Sequence, residues 1–210
     1  MTSIDRRSFL SGALCSAPAL SPPAAQAINS CGPTGCLAEV SFPQFAAAYE
    51  PQFQSEWCWA ASISMLFGYY GHPVNQQRIV SEAYGQPFNI PALSGFVIAQ
   101  ALNRAWVDDR GRRFQANLQA AFDAQAGVAA INNVMIVQAL ANGHPLIVGA
   151  RSHATVVTAV SYVPSPLGPN ITSVGVFDPW PARGARGLGI DEMTPVPFGS
   201  LMFLALVNIA

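Results

Sequence analysis

No lysine occurs anywhere in this chain, so every basic residue is arginine. Charge of either sign is scarce, at 10% of residues, and the formal net charge is -1. A chain so thinly charged has no basic stripe to follow a phosphate backbone, which excludes nucleic-acid binding. Disorder is excluded as well, because 51% of the residues are apolar and can be buried against one another. The arginine-only, alanine-rich bias reads as genome composition and not as a binding surface. Repeats, low-complexity tracts and charge blocks are missing beyond Ile28. Beyond that point there is also no long hydrophobic run: Leu201 to Val207 falls far short of the roughly 20 residues of a spanning helix and reads as a buried strand. A length of 210 residues suits one domain with a proper core.

Cysteine is sparse too, with 4 in the chain, and its use depends on compartment. Asp5-Arg6-Arg7-Ser8-Phe9-Leu10 precedes an uncharged stretch, Ser11 to Leu20, and then Ala25-Gln26-Ala27. That order is a charged region, an apolar region and a small-residue cleavage site. The paired arginines resemble the twin-arginine export signal, a receptor-read address; an ordinary secretory signal is the alternative. Residues 1–27 are therefore expected to be an export signal, with the mature chain starting near Ile28. Cys15 leaves with the signal; a lipid anchor there is set aside because bulky Leu14 precedes it. Cys31-Gly-Pro-Thr-Gly-Cys36 is a short turn-forming segment that an oxidising compartment can close into a disulfide. Cys58 is then the odd thiol, either buried and inert or reactive.

The rest of the chain divides into helices first and strands later. Ser55 can cap a helix from Glu56 that runs on to Tyr70 and stops at Gly71. Asn75 caps a second helix that ends at Gly85, with Val74 and Ile79 spaced as a hydrophobic staple. A third helix is expected over Ser94 to Ala105. Asp108-Asp109-Arg110-Gly111 is a turn between short strands, and a further helical stretch is expected near Leu118 to Ala126. Asn132 or Asn133 caps a helix from Val134 to Ala141. From Pro145 onward Leu146-Ile147-Val148 and Ala154 to Val160 are β-branched strands, as is Ser173 to Phe177. Val163 to Asn170 is a Pro-rich loop and Arg183 to Gly189 a Gly-rich one. The fold class is α+β, with N-terminal helices packed on an antiparallel sheet.

Cys58 falls in the first turn of its helix, where partial positive charge and free N–H groups favour a thiolate. A thiolate nucleophile needs a histidine partner, and the sequence offers 3. His72 follows the far end of the Cys58 helix and is badly placed. His144 sits in a Gly-His-Pro turn. His153 opens a strand that would hold its ring rigidly, although a lone histidine near a strand is otherwise a structural residue. A carboxylate must orient that ring, and Asp178 closes the following strand; a turn-initiating Asp before Pro179 would also account for it. An oxyanion needs donors: the backbone N–H of Cys58 with the amide of Gln52 or Gln54.

The segment Gln52-Phe-Gln-Ser-Glu-Trp-Cys58-Trp59-Ala-Ala-Ser resembles the active-site segment of papain-like cysteine peptidases, especially a small bacterial branch with Trp-Cys-Trp-Ala-Ala. The resemblance implies a papain-like fold in which Gln52, six residues ahead of Cys58, supplies the oxyanion donor. It implies His153 as the base, within His-Ala-x-Val-Val, and speaks against His144. Asp178-Pro-Trp180 fits the third member, with Trp180 shielding the pair. It covers roughly Phe42 to Ala210, and nothing between Gly85 and Asn132 is recognisable. No long inhibitory propeptide is evident between the signal and the domain.

The organisation expected is thus a signal over 1–27, an N-terminal segment over 28–41 with a Cys31–Cys36 disulfide, and a catalytic domain over 42–210. The activity expected is hydrolysis of peptide or isopeptide bonds by an exported, monomeric enzyme needing no cofactor or metal. Its partner is a peptide or protein substrate, with no nucleic acid and no membrane once the signal is gone. Transfer of the acyl group to an amine, deamidation of glutamine, or a non-catalytic binding module on the same fold are the alternatives.

Overall fold

The computed structural model describes residues 26–210. The expected export signal, with Cys15, lies outside the described residues apart from its last two positions. In chain order the elements are β1 (Ile28–Gly32), β2 (Gly35–Glu39), α1 (Phe42–Ala47), α2 (Cys58–Tyr69), α3 (Gln76–Tyr84), α4 (Gly95–Ala101), β3 (Arg104–Val107), β4 (Arg113–Asp123) and β5 (Val128–Ala129). They continue with α5 (Asn133–Ala141), β6 (Leu146–Ala150), β7 (His153–Val163), β8 (Asn170–Asp178), β9 (Gly184–Gly187), α6 (Ile190–Met193) and β10 (Leu201–Ile209).

The strands form one antiparallel sheet in the order β1-β2-β7-β6-β10-β4-β3, with β8 and β9 added to the other edge of β7. Strand β7 is the hub, because it pairs with β2, β6 and β8. Helix α2 packs on β7 and β6. Every residue of α2 except Gly68 is buried, the pattern of a helix that is apolar all round and enclosed by the core. Large fully buried side chains on α2 include Trp59, Ile63, Met65 and Phe67, and Ile147 meets them from the sheet. The architecture is the expected α+β, helices against an antiparallel sheet.

Local chemistry explains most boundaries. Asn75 accepts from the Gln77 N–H at 2.8 Å and caps α3, which ends at Gly85 with φ +79°. Asn132, not Asn133, caps α5 through the Met135 N–H at 3.0 Å. Cys31 and Cys36 are opposite one another in the β1–β2 hairpin and form a disulfide; β2 then joins the main sheet through β7.

Four expectations are corrected. Helix α2 begins at Cys58, not Glu56, because Ser55 bonds Asn89 instead of capping. The third helix stops at Ala101, and Arg104 to Val107 becomes β3, paired with β4. The stretch Leu118 to Ala126 is not helical: Arg113 to Asp123 is strand, with Phe114, Ala116, Ala120 and Asp123 buried. Its apolar residues at 114, 116, 118, 120 and 122 repeat every second position, a strand period that the helix-favouring alanines obscure. Finally, the Gly-rich stretch after Arg183 contains β9, registered on β8 with Gly175 opposite Gly187 and Asp178 opposite Gly184.

Candidate active site

Cys58 is the first residue of α2 and is the free thiol among the described residues. A residue there has an N–H with no partner inside the helix, and the thiol sits at the positive end of the helix dipole. The preceding loop is fixed from both sides. The Gln52 N–H donates to the Pro179 carbonyl at 2.8 Å, and the Trp57 indole donates to the Phe88 carbonyl at 2.8 Å.

The sheet brings His153 and Asp178 together. His153 is the first residue of β7 and Asp178 the last of β8. Because Val156 stands opposite Phe177, the next step along β8 sets Asp178 diagonal to His153, within reach of a long side chain. His153 Nε2 donates to Asp178 Oδ1 at 2.7 Å. Nδ1 is then the ring nitrogen left for Cys58, and both residues line one cleft. Trp180 stands edge-on to the His153 ring, with centroids 6.2 Å apart, and is half exposed.

Electrostatics favours charge on both partners. Burial pushes the His153 pKa down, but the hydrogen bond to Asp178 and then the proximity of Cys58 outweigh it, and the pKa is pushed up to about 9. Asp178 is fully buried, which by itself would raise its pKa. The bonds from His153, the Trp180 N–H and Arg186 prevail and hold the carboxyl well below the usual range. An imidazolium on a carboxylate, facing a sulfur, is the arrangement that supports a thiolate.

The cleft has a volume of about 310 Å³ and is walled by the Pro91–Gly95 loop, the start of α4, and Gly149, Ala154 and Phe203 of the sheet. Among the described residues its walls carry no ionisable group apart from Cys58 and His153. Directly behind it lies an apolar cavity of about 360 Å³, to which Val148 and Leu204 contribute, with Glu192 among its lining residues. Val148 pairs with Leu204 and Gly149 with Phe203. Successive residues of β6 and β10 therefore face the two spaces alternately.

Gln52 is buried while Gln54 is exposed. The Gln52 amide nitrogen donates to the Gln54 and Ser55 carbonyls at 2.9 and 2.8 Å, and its Oε1 is buried without a partner. The other histidines are occupied elsewhere. His72 contacts Asp108 at 3.1 Å and stacks on Phe114; His144 bonds the Tyr70 hydroxyl at 2.8 Å.

Sequence reasoning missed the residues behind Asp178. Asp178 Oδ2 receives Arg186 Nε at 2.7 Å and Arg183 Nη1 at 3.4 Å. Arg186 turns its two terminal nitrogens to Glu192, at 2.9 and 2.8 Å. The one local signal was alternation: in β9 only Gly184 and Arg186 are turned partly inward, and strand assignment was needed to see it.

An α+β domain with a thiol at a helix start, facing a histidine held by the sheet, has the layout of a papain-like cysteine peptidase. The chain belongs to the Peptidase_C39 like family, whose model matches residues 44–189. A solved structure described as the crystal structure of UfSP from C.elegans is similar at a TM-score of 0.43 and 16% identity, covering 91% of this chain and 35% of that one. This chain thus spans about a third of the length of that structure. No curated protein matches the chain.

Proposed function

We propose that the protein is an exported cysteine peptidase that cleaves peptide or isopeptide bonds through Cys58, His153 and Asp178. The single observation that carries this reading is the 2.7 Å bond between His153 and a fully buried Asp178, at the cleft where the Cys58 thiol opens a helix. The Cys58 thiolate attacks the carbonyl carbon and forms a tetrahedral oxyanion. Collapse expels the amine, which takes its proton from the His153 imidazolium, and leaves a thioester on sulfur. His153, now neutral, removes a proton from water as it attacks. The acid leaves, and sulfur and ring regain the thiolate–imidazolium pair.

The oxyanion is bound by the Cys58 N–H and by Gln52. In the free enzyme the Gln52 amide is held by two loop carbonyls, and it exchanges one of these for the oxyanion when substrate enters, a tightening common to catalytic hydrogen bonds. Export is supported by the N-terminal pattern, whose paired arginines fit the twin-arginine route, and by the Cys31–Cys36 disulfide, a bond that persists in oxidising compartments.

The test is a mixed peptide library analysed by mass spectrometry. Wild-type protein is expected to yield fragment pairs whose masses add to the parent plus one water. Cys58→Ala is expected to abolish both cleavage and labelling by iodoacetamide while the melting temperature changes little. Full cleavage by Cys58→Ala refutes the proposal.

A further inference from the structure

We propose that Glu192, acting through Arg186, is a positioning residue that keeps one net negative charge facing His153, so that the ring stays protonated opposite the Cys58 thiolate. The inference rests on the reading of Cys58, His153 and Asp178 as the reacting groups, and adds what sets their charge state.

A buried carboxylate that must hold an imidazolium is poorly served by an arginine on its other oxygen, because two cations then compete for one charge. That is the situation at Asp178, whose Oδ1 faces His153 and the Trp180 N–H while Oδ2 faces Arg186 and Arg183. The geometry at Arg186 resolves the conflict. Its guanidinium gives only Nε to Asp178 and turns its forked end to Glu192, with Nη1 on Oε2 and Nη2 on Oε1. A two-pronged arginine–carboxylate pair is the strong, directional form of this contact. Glu192 Oε2 is fixed further by the Gly189 N–H at 2.9 Å.

The balance follows from counting charges on every element packed around the ring. Helix α2 presents Cys58, β8 presents Asp178, β9 presents Arg186 and α6 presents Glu192. Arg183, 3.4 Å from Asp178, is half exposed, so its charge is screened by water and stands outside the buried balance. Arg151, in the turn just before His153, is engaged by Asp191 of α6 at 2.6 Å. Asp178, Arg186 and Glu192 together leave one negative charge, whereas without Glu192 the group is neutral. Two adjacent acids of α6 therefore each absorb an arginine that would otherwise oppose the imidazolium. The bond to Arg186 and the Gly189 N–H hold the Glu192 carboxyl low and ionised. Glu192 lies beyond the stretch 44–189 matched by the family model.

The test compares Glu192→Gln, Arg186→Gln, the double variant and Glu192→Asp, all in the full chain. The readout is the pH at which the His153 ring loses its proton, followed by NMR of the ring protons and assigned with His153→Gln. The pH dependence of iodoacetamide labelling at Cys58 is recorded in parallel. Glu192→Gln is expected to lower the ring's midpoint by on the order of one pH unit, and Arg186→Gln to raise it by a similar or smaller amount because Arg183 remains. The double variant is expected to return close to wild type, and Glu192→Asp to retain the wild-type profile. A purely structural role would move both single variants the same way and make the double variant worse; that result, or unmoved midpoints, overturns the proposal. Should Arg186→Gln fail to fold, the contrast between Glu192→Gln and Glu192→Asp decides the matter. If Cys58 of the wild-type protein instead titrates as an isolated thiol, near pH 8.5, the underlying catalytic reading fails, an outcome distinct from unmoved midpoints in the variants.

Discussion

Replacing Asp178 by Asn removes one negative charge and almost no volume, and its effect can be worked out atom by atom. Oδ1 receives His153 Nε2 at 2.7 Å and the Trp180 N–H at 2.8 Å. An Asn oxygen kept there turns the amide nitrogen, a donor, against Arg186 Nε, itself a donor, at the 2.7 Å separation now spanned by a hydrogen bond. Turning the amide over moves the same conflict to His153. Breaking one half of a buried ion pair costs about 3–5 kcal/mol, and one retained hydrogen bond returns about 1 kcal/mol of that. A net loss of about 2–4 kcal/mol is expected. The ring responds too. His153 is raised from its ordinary 6.5 to about 9, on the order of 3 kcal/mol at 1.36 kcal/mol per unit. Asp178 is the foremost of the upward influences, so without it the midpoint drops by on the order of one to two units toward the ordinary value, with the proximity of Cys58 still opposing burial. The sign is fixed: a ring whose pKa falls loses its proton at lower pH, and the alkaline limit of Cys58 activity moves to lower pH with it. Urea unfolding at pH 7 and peptide cleavage followed between pH 5 and 10 measure the two effects. Stability within about 0.5 kcal/mol of wild type together with an unmoved alkaline limit refutes the reasoning.

Asp178 also governs behaviour in acid. Its carboxyl titrates below the usual range when folded, so the stability it contributes is complete above about pH 4 and is lost as pH falls; plotted against pH, the urea midpoint of Asp178→Asn is expected to fall less steeply in this region. Gly95→Ala places a Cβ in overlap with Asp123 Oδ2 and 2.5 Å from Phe203 Cδ2. Asp123 cannot yield freely because it caps the Gln125 and Ala126 N–H groups, so a loss of about 1–3 kcal/mol is expected, and a urea midpoint equal to wild type counts against it. Arg151 and Ser152 have φ of 52° and 59°, the mirror-image turn in which glycine is favoured. Ser152→Gly is therefore expected to add about 0.5–1 kcal/mol to the unfolding free energy, and a lower melting temperature would contradict this.

Legibility in the sequence followed the range of the interaction. Asn75, Gly71, Gly85 and Asn132 act within a turn of themselves, and the C-terminal end of α2, both ends of α3 and, to within one residue, the start of α5 could be placed from such signals. The cap offered by Ser55 failed because Asn89, 34 positions away, claims its hydroxyl. Strand β4 was hidden by alanines that suit either state, and the strand won because β10 and β3 pair with both its edges. At the site, Cys58, His153 and Asp178 each announce themselves by standing at the end of an element. Their meeting depends on register, which no short segment encodes. The arginine–glutamate pair behind Asp178 needs β9 folded against β8 before Arg186 and Glu192 have any reason to be associated.

The floor of the cleft is a single layer of backbone shared between two spaces. Gly149 and Phe203 look toward Cys58 and His153, while their sequence neighbours Val148 and Leu204 look into the apolar cavity behind. The shape of the cleft is thereby open to adjustment from the rear. Enlarging Val148 or Leu204 into that space leaves the side chains that line the cleft chemically unchanged and alters only what β6 and β10 rest on. A directed-evolution library confined to the visible rim would overlook these positions, which belong among the first to be randomised.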